Sequence, residues 1–328
     1  MCRDAMTEMR RGKILLPWRE TGSGRWGYAS RLARGWAIPP RYEGASFFSD
    51  GMAAVRLEGL RGYITGAGII AIRPQFRDAE DFDSGCAVVH DGAAYGVIDR
   101  SGKAVLPFSF DFIFQDYGYP FPAFATHEDG GKWGVRNLAG ETLVPFLFDD
   151  LNGFDEHGWA LAQLDGRNVF IDRAGKTVLG FESCGNIRMP FSDGLAVVER
   201  NGREGCVDRS GRIVLPAVYD EVSAFSEELI PVRDGTEWFY IDEYGRRPFR
   251  TVFDNAVPFE NGFAFVEKGG AWGVIDHRGA YALKPDISDF GPSCLGFVRL
   301  FRGDEMSYFD TVQGKEIFLR GLTKGIFV

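Results

Sequence analysis

Short apolar runs separated by polar turns recur along the chain. Two apolar runs flank a four-residue turn in residues 271–285, AWGVIDHRGAYALKP, and again in residues 94–107, AYGVIDRSGKAVLP. A second pattern, F-x-x-G-x-A-x-V, places apolar residues at alternate positions, which is typical of a half-buried strand. It occurs at residues 48–55, 82–89, 191–198 and 259–266. Both patterns predict short β-strands.

The turn between the two apolar runs reads D-x-x-G in most copies. An aspartate at the first position accepts hydrogen bonds from backbone amides two residues on, and glycine at the fourth adopts a positive φ. We therefore expect a β-hairpin with a type I turn followed by a glycine bulge. The first position holds Asp99, Asp172, Asp208, Asp242 or Asp276, with Asn137 and Thr65 in two other copies; in the last copy Asp310 stands four residues before Gly314. Metal binding is the alternative role, but each aspartate stands alone in its turn, without the dense oxygen ligands of a calcium loop.

The glycine of this turn recurs at a nearly constant interval. It stands at Gly35, Gly68, Gly102, Gly140, Gly175, Gly211, Gly245, Gly279 and Gly314, with intervals of 33, 34, 38, 35, 36, 34, 34 and 35 residues. A fixed period of this length is the signature of a repeat protein. A few short strands cannot bury an apolar face alone, so each unit must pack against its neighbours.

A proline and an aromatic–Asp pair follow the turn. The proline comes five residues after the glycine, at Pro40, Pro107, Pro145 and Pro216. Proline has no N–H to give to a ladder, so we expect the second strand of the hairpin to end there. The pairs that follow are Phe110-Asp111, Phe148-Asp149, Tyr219-Asp220 and Phe253-Asp254.

Together these patterns predict an all-β chain of tandem units of about 35 residues, each with about three short antiparallel strands. We expect an open, curved, solenoid-like array of about eight to nine units, because a four-stranded propeller blade typically needs about 40–45 residues. A closed, propeller-like ring is the alternative. We expect one repeat domain over residues 1–328, with caps of partial repeats over residues 1–25 and 307–328.

The dipeptides Trp133-Gly134 and Trp272-Gly273, followed by the turn glycine and the aromatic–Asp pair, resemble the WG-repeat family of bacterial proteins. The resemblance covers nearly the whole chain. Several copies depart from Trp-Gly, among them Asn168-Val169, Glu204-Gly205 and Trp238-Phe239. The resemblance implies an all-β scaffold that serves as a binding or interaction module, with no shared catalytic residue. Some similar proteins look like partners of bacterial toxins, which makes an immunity or inhibitor role one expectation.

Charge narrows the class of partner. The net charge is −9, but residues 1–41 carry +6 and the remainder carries −15. An acidic body repels nucleic acids and anionic membranes and favours a basic partner. We expect the partner to be another protein, a basic one, and neither a nucleic acid nor a membrane. Apolar runs are too short for a membrane span or a signal peptide, so we expect a cytoplasmic protein.

Motifs for catalysis, cofactors or metals are missing from the sequence. The five cysteines form no C-x-x-C pair, and none of the four histidines pairs with another His or Cys at metal-ligand spacing. His277 occupies the second turn position, which predicts a solvated turn residue. We therefore expect no catalytic residue, no cofactor and no metal, and a protein that is not an enzyme. An enzyme that uses scattered carboxylates is an alternative.

Departures from the repeat indicate where binding takes place, because they usually lie on loops. Residues 114–131 fall in the longest interval and contain Tyr117, Tyr119, Phe121 and Phe124; residues 291–306 contain Phe301 and Arg302, which fit no repeat role. We expect these six residues to bind the partner, and the alternative is an insertion that folds back on its own repeat. An alternative function is a small-ligand or carbohydrate module with aromatic platforms between repeats.

Overall fold

Small antiparallel sheets make up the described part of the chain. A computed structural model describes residues 15–30, 35–116, 123–128, 131–180, 184–294, 296–303 and 305–317. Within these ranges there are nine sheets, seven with four strands and two with three, and neighbouring strands in each sheet follow one another in the chain. We number the sheets 1 to 9 in chain order.

The chain divides into two compact units, and the boundary between them lies between Phe146 and Leu147. The first unit holds sheet 1 (β1–β3), sheet 2 (β4–β7), sheet 3 (β8–β11) and sheet 4 (β12–β15). The strands are β1 (Leu15–Arg19), β2 (Trp26–Ser30), β3 (Gly35–Tyr42), β4 (Gly44–Ala45), β5 (Met52–Leu57), β6 (Leu60–Thr65), β7 (Ile70–Phe76), β8 (Asp78–Ala79), β9 (Cys86–His90), β10 (Tyr95–Asp99), β11 (Ala104–Phe110), β12 (Phe112–Asp116), β13 (Ala123–Glu128), β14 (Lys132–Asn137) and β15 (Thr142–Phe148).

The second unit, Leu147–Ile317, holds sheet 5 (β16–β19), sheet 6 (β20–β23), sheet 7 (β24–β26), sheet 8 (β27–β30) and sheet 9 (β31–β34). The strands are β16 (Asp150–Leu151), β17 (Trp159–Leu164), β18 (Arg167–Asp172), β19 (Thr177–Leu179), β20 (Asn186–Ile187), β21 (Leu195–Arg200), β22 (Arg203–Asp208), β23 (Ile213–Tyr219), β24 (Glu221–Val222), β25 (Ile230–Asp234), β26 (Glu237–Ile241), β27 (Asn255–Ala256), β28 (Phe263–Lys268), β29 (Ala271–Asp276), β30 (Tyr281–Ile287), β31 (Asp289–Cys294), β32 (Phe297–Arg302), β33 (Glu305–Asp310) and β34 (Lys315–Ile317).

The all-β prediction is confirmed, but the open solenoid with three strands per unit is wrong. The described sheets are the nine blades of a closed ring, a β-propeller, and most blades have four strands. The fourth strand is the two-residue element that opens most blades, such as β4 and β8. Because this strand is so short, a four-stranded blade fits into about 35 residues, and the length argument against a propeller fails.

The D-x-x-G hairpin is confirmed in residue detail. In blade 3 the N–H of Gly102 donates to the carbonyl of Asp99 at 2.9 Å, and Gly102 has a φ of +84°. One carboxylate oxygen of Asp99 accepts from the N–H of Ser101 at 2.8 Å and from the N–H of Lys103 at 3.0 Å. The equivalent turns at Asn137, Asp172, Asp208, Asp242 and Asp276 make the same bonds.

Hydrogen bonds of this kind lower the pKa of the turn carboxyls of Asp99 and Asp208. Bonds from the Ser210 hydroxyl, the Arg212 side chain and the backbone amides of both residues lower the pKa of Asp208 to about 2. A carboxylate whose folded pKa lies below its unfolded pKa stabilises the fold above the unfolded value, and this stabilisation is lost as the pH falls through the folded value. Protonation of such a turn aspartate at acid pH therefore lowers the free energy of unfolding.

We expect the free energy of unfolding to fall as the pH is lowered from about 4 towards 2, the interval between the ordinary and the folded pKa of Asp208. Asp208→Asn keeps the acceptor oxygen, as Asn137 does in blade 4, but cannot take up a proton. Urea unfolding at a series of pH values should therefore give a shallower slope for this variant than for the wild type. Identical slopes would contradict the assignment.

The glycine at the second position of the Trp-Gly dipeptide lies directly against the proline-containing strand, and it does so also where the first position is not Trp, as in Arg61-Gly62. A Cβ added at Gly62 would lie 2.5 Å from the nitrogen of Pro74 and 2.6 Å from the carbonyl oxygen of Ile72. The pairing of β6 with β7 shifts register at this point, which marks a β-bulge. A side chain at this glycine would therefore collide with backbone atoms.

The prediction that the strand ends at the proline is wrong. Strands β3, β11, β15 and β23 continue through Pro40, Pro107, Pro145 and Pro216. Each of these strands is the last of its sheet, so one of its edges has no partner strand in that sheet. At such an edge the missing N–H of proline breaks no ladder, and a bulge accommodates the ring.

Within each unit, the hydrophobic cores lie between successive blades. Tyr63 in blade 2 is fully buried, packs edge-on against Phe82 of blade 3 at 4.6 Å, and donates its hydroxyl to the carbonyl of Glu80 at 2.6 Å. One cluster of buried side chains contains Met52 and Ile72 from blade 2 together with Val89 from blade 3. Each blade therefore supplies apolar side chains that the next blade needs to complete its core, as the repeat pattern predicts.

A basic side chain at the second turn position, Arg or His, ties some blades to earlier ones. Arg100 pairs with Asp50 at 3.3 Å, and Nε2 of His277 lies 3.2 Å from a carboxylate oxygen of Glu227. The ring of His277 also stacks on Phe259 at 4.2 Å. His277 is an exposed turn residue, as the sequence predicts, and its side chain in addition joins two parts of the second unit.

The predicted single domain with caps stays a prediction. Residues 15–25 contain β1, which belongs to a three-stranded sheet, and residues 307–317 contain the end of β33 and all of β34, which complete a four-stranded one. Within the ranges that the structure describes, no helix is long and apolar enough to cross a bilayer.

Candidate functional site

The six predicted partner-binding residues do not form one described surface. Tyr117, Tyr119 and Phe121 lie outside the described residues. Phe124 on β13 is fully buried in the core of the first unit. Phe301 and Arg302 lie at the end of β32 in the second unit, and Arg302 pairs there with Asp286 and Glu316.

The described residues also contain no group of three or more His, Cys, Asp or Glu that could hold a metal ion.

An aromatic cleft of about 460 Å³ lies in the second unit, with most of its walls in blades 8 and 9. Blade 8 contributes β28 and the loop before it, and blade 9 contributes β31. The lining residues are Ser192, Ser226, Val257, Pro258, Phe259, Glu260, Phe263, Phe265, Phe290, Gly291, Pro292, Ser293, Val298 and Thr311. We call this site the aromatic cleft.

Ring contacts fix the walls of the aromatic cleft. Phe265 and Phe290 stack with their centroids 4.2 Å apart and an interplanar angle of 17°. Trp272 meets Phe290 edge-on at 5.0 Å, and Phe263 meets Phe309 edge-on at 5.1 Å. Such pairs stabilise their own geometry by about 0.5–1.5 kcal/mol beyond burial, so the cleft is pre-formed.

The sequence builds this cleft by enlarging two positions of the repeat. The repeat register places Phe263 where other copies have Met52, Cys86 or Leu195. In the same register Phe265 stands where they have Ala54, Val88 or Val197. A difference in size at these positions is the signal that could have identified the cleft from the sequence.

The opposite wall departs from the regular strand. The pairing of β31 with β32 shifts register between Phe290 and Ser293, where Gly291 and Pro292 intervene. This segment begins the departure at residues 291–306 that the sequence indicates. The residues chosen from that departure, Phe301 and Arg302, do not line the aromatic cleft.

The family comparison matches the blades. A family model described as WG containing repeat matches residues 26–60, 95–119, 133–167, 205–238 and 251–272. The chain belongs to the WG-repeat family. The matched segments of this WG-repeat protein contain Trp26-Gly27, Trp133-Gly134 and Trp272, which is the last residue of the final segment, so the family prediction is confirmed.

The aromatic cleft lies where the matches to the WG-repeat model end. Phe259, Phe263 and Phe265 belong to the last matched segment, 251–272, whereas Phe290 and Pro292 follow it. The cleft therefore combines a wall inside the matched repeat segments with a wall that lies outside them.

Solved structures share the fold of this WG-repeat protein. A structure titled as the eukaryotic initiation factor is 9% identical, with a TM-score of 0.59 over 93% of this chain and 95% of that one. The dihydro-heme d1 dehydrogenase NirN in complex with DHE is 11% identical, with a TM-score of 0.50 over 94% and 73%. At such identities the similarity shows the fold alone. No curated protein sequence matches this chain.

Few polar groups of the aromatic cleft remain available to a partner. Ser226 donates its hydroxyl to the carbonyl of Phe259 at 2.7 Å, and Thr311 donates to the carbonyl of Gly296 at 3.0 Å. Both hydroxyl protons are therefore already used. Glu260 is exposed at the rim and is the charged residue among those that line the cleft.

Charge is distributed unequally between the two units of the WG-repeat protein. Residues 147–317 contain 18 Lys or Arg and 29 Asp or Glu, a formal charge of −11, whereas residues 1–146 contain 17 of each. Residues 147–317 therefore carry most of the acidity that the sequence places in the body of the chain, and residues 42–146 carry a further −6.

Proposed function

We propose that this WG-repeat protein is a non-enzymatic scaffold that binds a basic partner protein through the aromatic cleft. The observation that supports the proposal most is a pre-formed apolar cleft, with a glutamate on its rim, in a unit of formal charge −11. Apolar anchors seated in such clefts supply most of the energy of protein interfaces.

The size and stiffness of the cleft favour recognition of an anchor side chain. Its volume of about 460 Å³ admits a large apolar side chain with its neighbours. Because the rings of Phe265, Phe290 and Trp272 already hold one another, little ordering entropy is lost when the anchor enters.

The surrounding charge favours basic partners over acidic ones. Carboxylates across the second unit attract a cationic protein during encounter and repel an anionic one. Association should therefore slow as salt is added. A rim glutamate next to an apolar pocket also suits a partner that presents a Lys or Arg beside its anchor.

Reversal of the rim charge tests the proposal. The immobilised wild-type chain should capture basic proteins from a lysate. We expect the Glu260→Arg chain to lose these proteins, because the new arginine repels the cation beside the anchor side chain. Binding of a recovered protein should weaken by about tenfold or more, measured by surface plasmon resonance at two salt concentrations.

The matched control is Glu237→Arg, which makes the same charge change at an exposed position of the second unit outside the cleft. It should retain the proteins that Glu260→Arg loses. A captured set that is identical for all three chains, or that contains acidic proteins alone, would contradict the proposal.

An immunity or inhibitor role towards a bacterial toxin is the narrower form of this proposal. It rests on the family resemblance and on the fit of a basic toxin domain to an acidic binding unit. The identity of the captured protein tests it directly.

Small-ligand binding is the second candidate, and the enclosure of the cleft by aromatic rings between two repeats favours it. A ligand that binds the folded state alone raises the melting temperature. The melting temperature should be measured with each compound of a glycan and metabolite panel. A compound that raises the melting temperature of the wild type but not that of Phe263→Ser would support this candidate.

A further inference from the structure

The first unit carries a second cleft with a different chemistry. It has a volume of about 590 Å³ and lies between the hairpin β5–β6 of blade 2 and the start of blade 3. The lining residues are Arg56, Gly59, Arg61, Arg77, Asp78, His90 and Tyr95. We call it the arginine cleft.

Two of its arginines are partly engaged within the chain. Nε of Arg61 lies 3.1 Å from a carboxylate oxygen of Asp78. Nε of Arg56 donates to the carbonyl of Gly59 at 3.2 Å and lies 3.9 Å from Glu43. Each guanidinium has five N–H groups, so both retain donors for a further acceptor.

Arg77 is the cation that remains uncompensated. It is exposed, and across the described ranges of the chain it forms no ion pair. Its backbone N–H donates to the carbonyl of His90 at 2.8 Å, which anchors the residue while its side chain stays available. A guanidinium of this kind matches the planar geometry of a carboxylate, and two neighbouring arginines reinforce it.

A row of aromatic side chains leads away from the arginine cleft. His90 meets Tyr95 edge-on at 4.5 Å, Tyr95 lies 5.6 Å from Phe112, and Phe112 lies 5.6 Å from Trp133. Tyr95 belongs to the cleft as well, so the two features share a wall. We call Tyr95, Phe112 and Trp133 the aromatic row.

The aromatic row is accessible. Phe112 is 47% exposed, although it lies between two other rings at the start of β12. Phe112 forms a contiguous apolar patch with Tyr95 and Trp133, and an apolar patch bordered by polar residues is typical of an interaction site. The two centroid distances of 5.6 Å place the ends of the row at most about 11 Å apart, which is the length of three to four residues of extended chain.

The geometry favours a peptide over a nucleic acid. The interplanar angles along the row are 58° and 70°, so the rings form no set of parallel platforms on which successive bases could stack. Asp78 and Glu43 lie among the arginines and would repel a chain of phosphates, whereas a single carboxylate can bind at Arg77.

We propose that the arginine cleft and the aromatic row together bind a short extended segment of a partner protein, with an Asp or Glu side chain at Arg77 and apolar side chains along the row. This surface selects acidic segments, the opposite of the preference proposed for the aromatic cleft. The two proposals rest on different units and different residues, so that either can fail without the other.

A random heptapeptide library displayed on phage tests this proposal on the full chain. Selection on the wild type is expected to enrich peptides in which Asp or Glu stands within four residues of an aromatic or large aliphatic residue. Synthetic copies of the enriched peptides should bind Arg77→Glu at least tenfold more weakly and Phe112→Ser at least fivefold more weakly, measured by fluorescence polarisation.

Matched controls exist in the same unit. Arg73→Glu changes an exposed arginine outside the cleft, and Ile69→Ser changes an apolar residue that is 66% exposed. Both should bind the peptides as the wild type does. Because all four positions are exposed or partly exposed, circular dichroism should show every variant folded.

Three outcomes would overturn the proposal. If the enriched peptides contain no acidic residue, or if Arg77→Glu leaves their binding unchanged, Arg77 does not bind a carboxylate of the partner. If millimolar inorganic phosphate displaces the peptide and Phe112→Ser does not weaken its binding, the site binds anions in general and the aromatic row takes no part. A dimer of the chain that Arg77→Glu abolishes would assign the surface to a second copy.

Discussion

Gly62→Ala is expected to destabilise the first unit by about 2–4 kcal/mol. The added methyl group would lie 2.5 Å from the nitrogen of Pro74, 2.6 Å from the oxygen of Ile72 and 2.7 Å from the carbonyl carbon of Arg73. All three are backbone atoms, so no side chain can rotate away. The bulged strand β7 would have to move outward and weaken its ladder with β6.

Gly66→Ala is the matched control in the same blade. Its Cβ would meet nothing within 4 Å, and its φ is not in the left-handed region. The substitution should change stability by less than about 0.5 kcal/mol, or raise it slightly by restricting the unfolded chain. Urea unfolding followed by circular dichroism would measure both variants. Equal stabilities would show that β7 accommodates the methyl group and that the glycine is not required.

The same contact explains which blades depart from the pattern. In blade 5 the glycine is replaced by Val169, and the last strand, β19, has three residues. In blade 7 it is replaced by Phe239, and the sheet has three strands within the described ranges. Where Gly205 keeps the glycine, β23 has seven residues. A large side chain at this position therefore goes with a shortened or missing outer strand.

Much of each blade could be predicted from the sequence, because turn chemistry and alternation are local. The hairpins at Asp99 and Asp208 follow from the aspartate and glycine of the turn itself. The two-residue strands, such as β4 and β8, could not be predicted, since two residues are too few for an alternating pattern. The prediction of an open array depended on that missed strand.

The candidate sites were harder to predict, because they depend on which repeats become neighbours. The departure at residues 291–306 does begin with a wall of the aromatic cleft, at Gly291 and Pro292. Phe263 and Phe265 occupy regular positions of the repeat pattern, so the sequence alone predicts that they are core residues. Their role appears only when the stacking of Phe265 on Phe290 is known. Arg77, likewise, is distinguished by the absence of a described ion pair and not by its position in a motif.

Arg302→Met is expected to destabilise the second unit by about 2–3 kcal/mol, less than the full value for a buried pair because the arginine is partly exposed. Arg302 lies 2.5 Å from a carboxylate oxygen of Glu316 and 2.9 Å from Asp286. The side chain of Glu316 is 9% exposed, so removal of the arginine leaves a nearly buried carboxylate without its cation. Thermal and urea unfolding would measure the loss.

A double variant distinguishes this explanation from a loss of side-chain packing. If the unpaired carboxylate is the cause, Arg302→Met combined with Glu316→Gln should recover about half of the lost stability, since no buried charge remains. Arg278→Met, at a side chain that is 90% exposed, should change stability by less than about 0.5 kcal/mol. No recovery in the double variant would assign the loss to packing. If Arg302→Met stays folded but no longer captures a partner that the Arg278→Met chain retains, Arg302 acts in binding, as the sequence predicts, and not only within the fold.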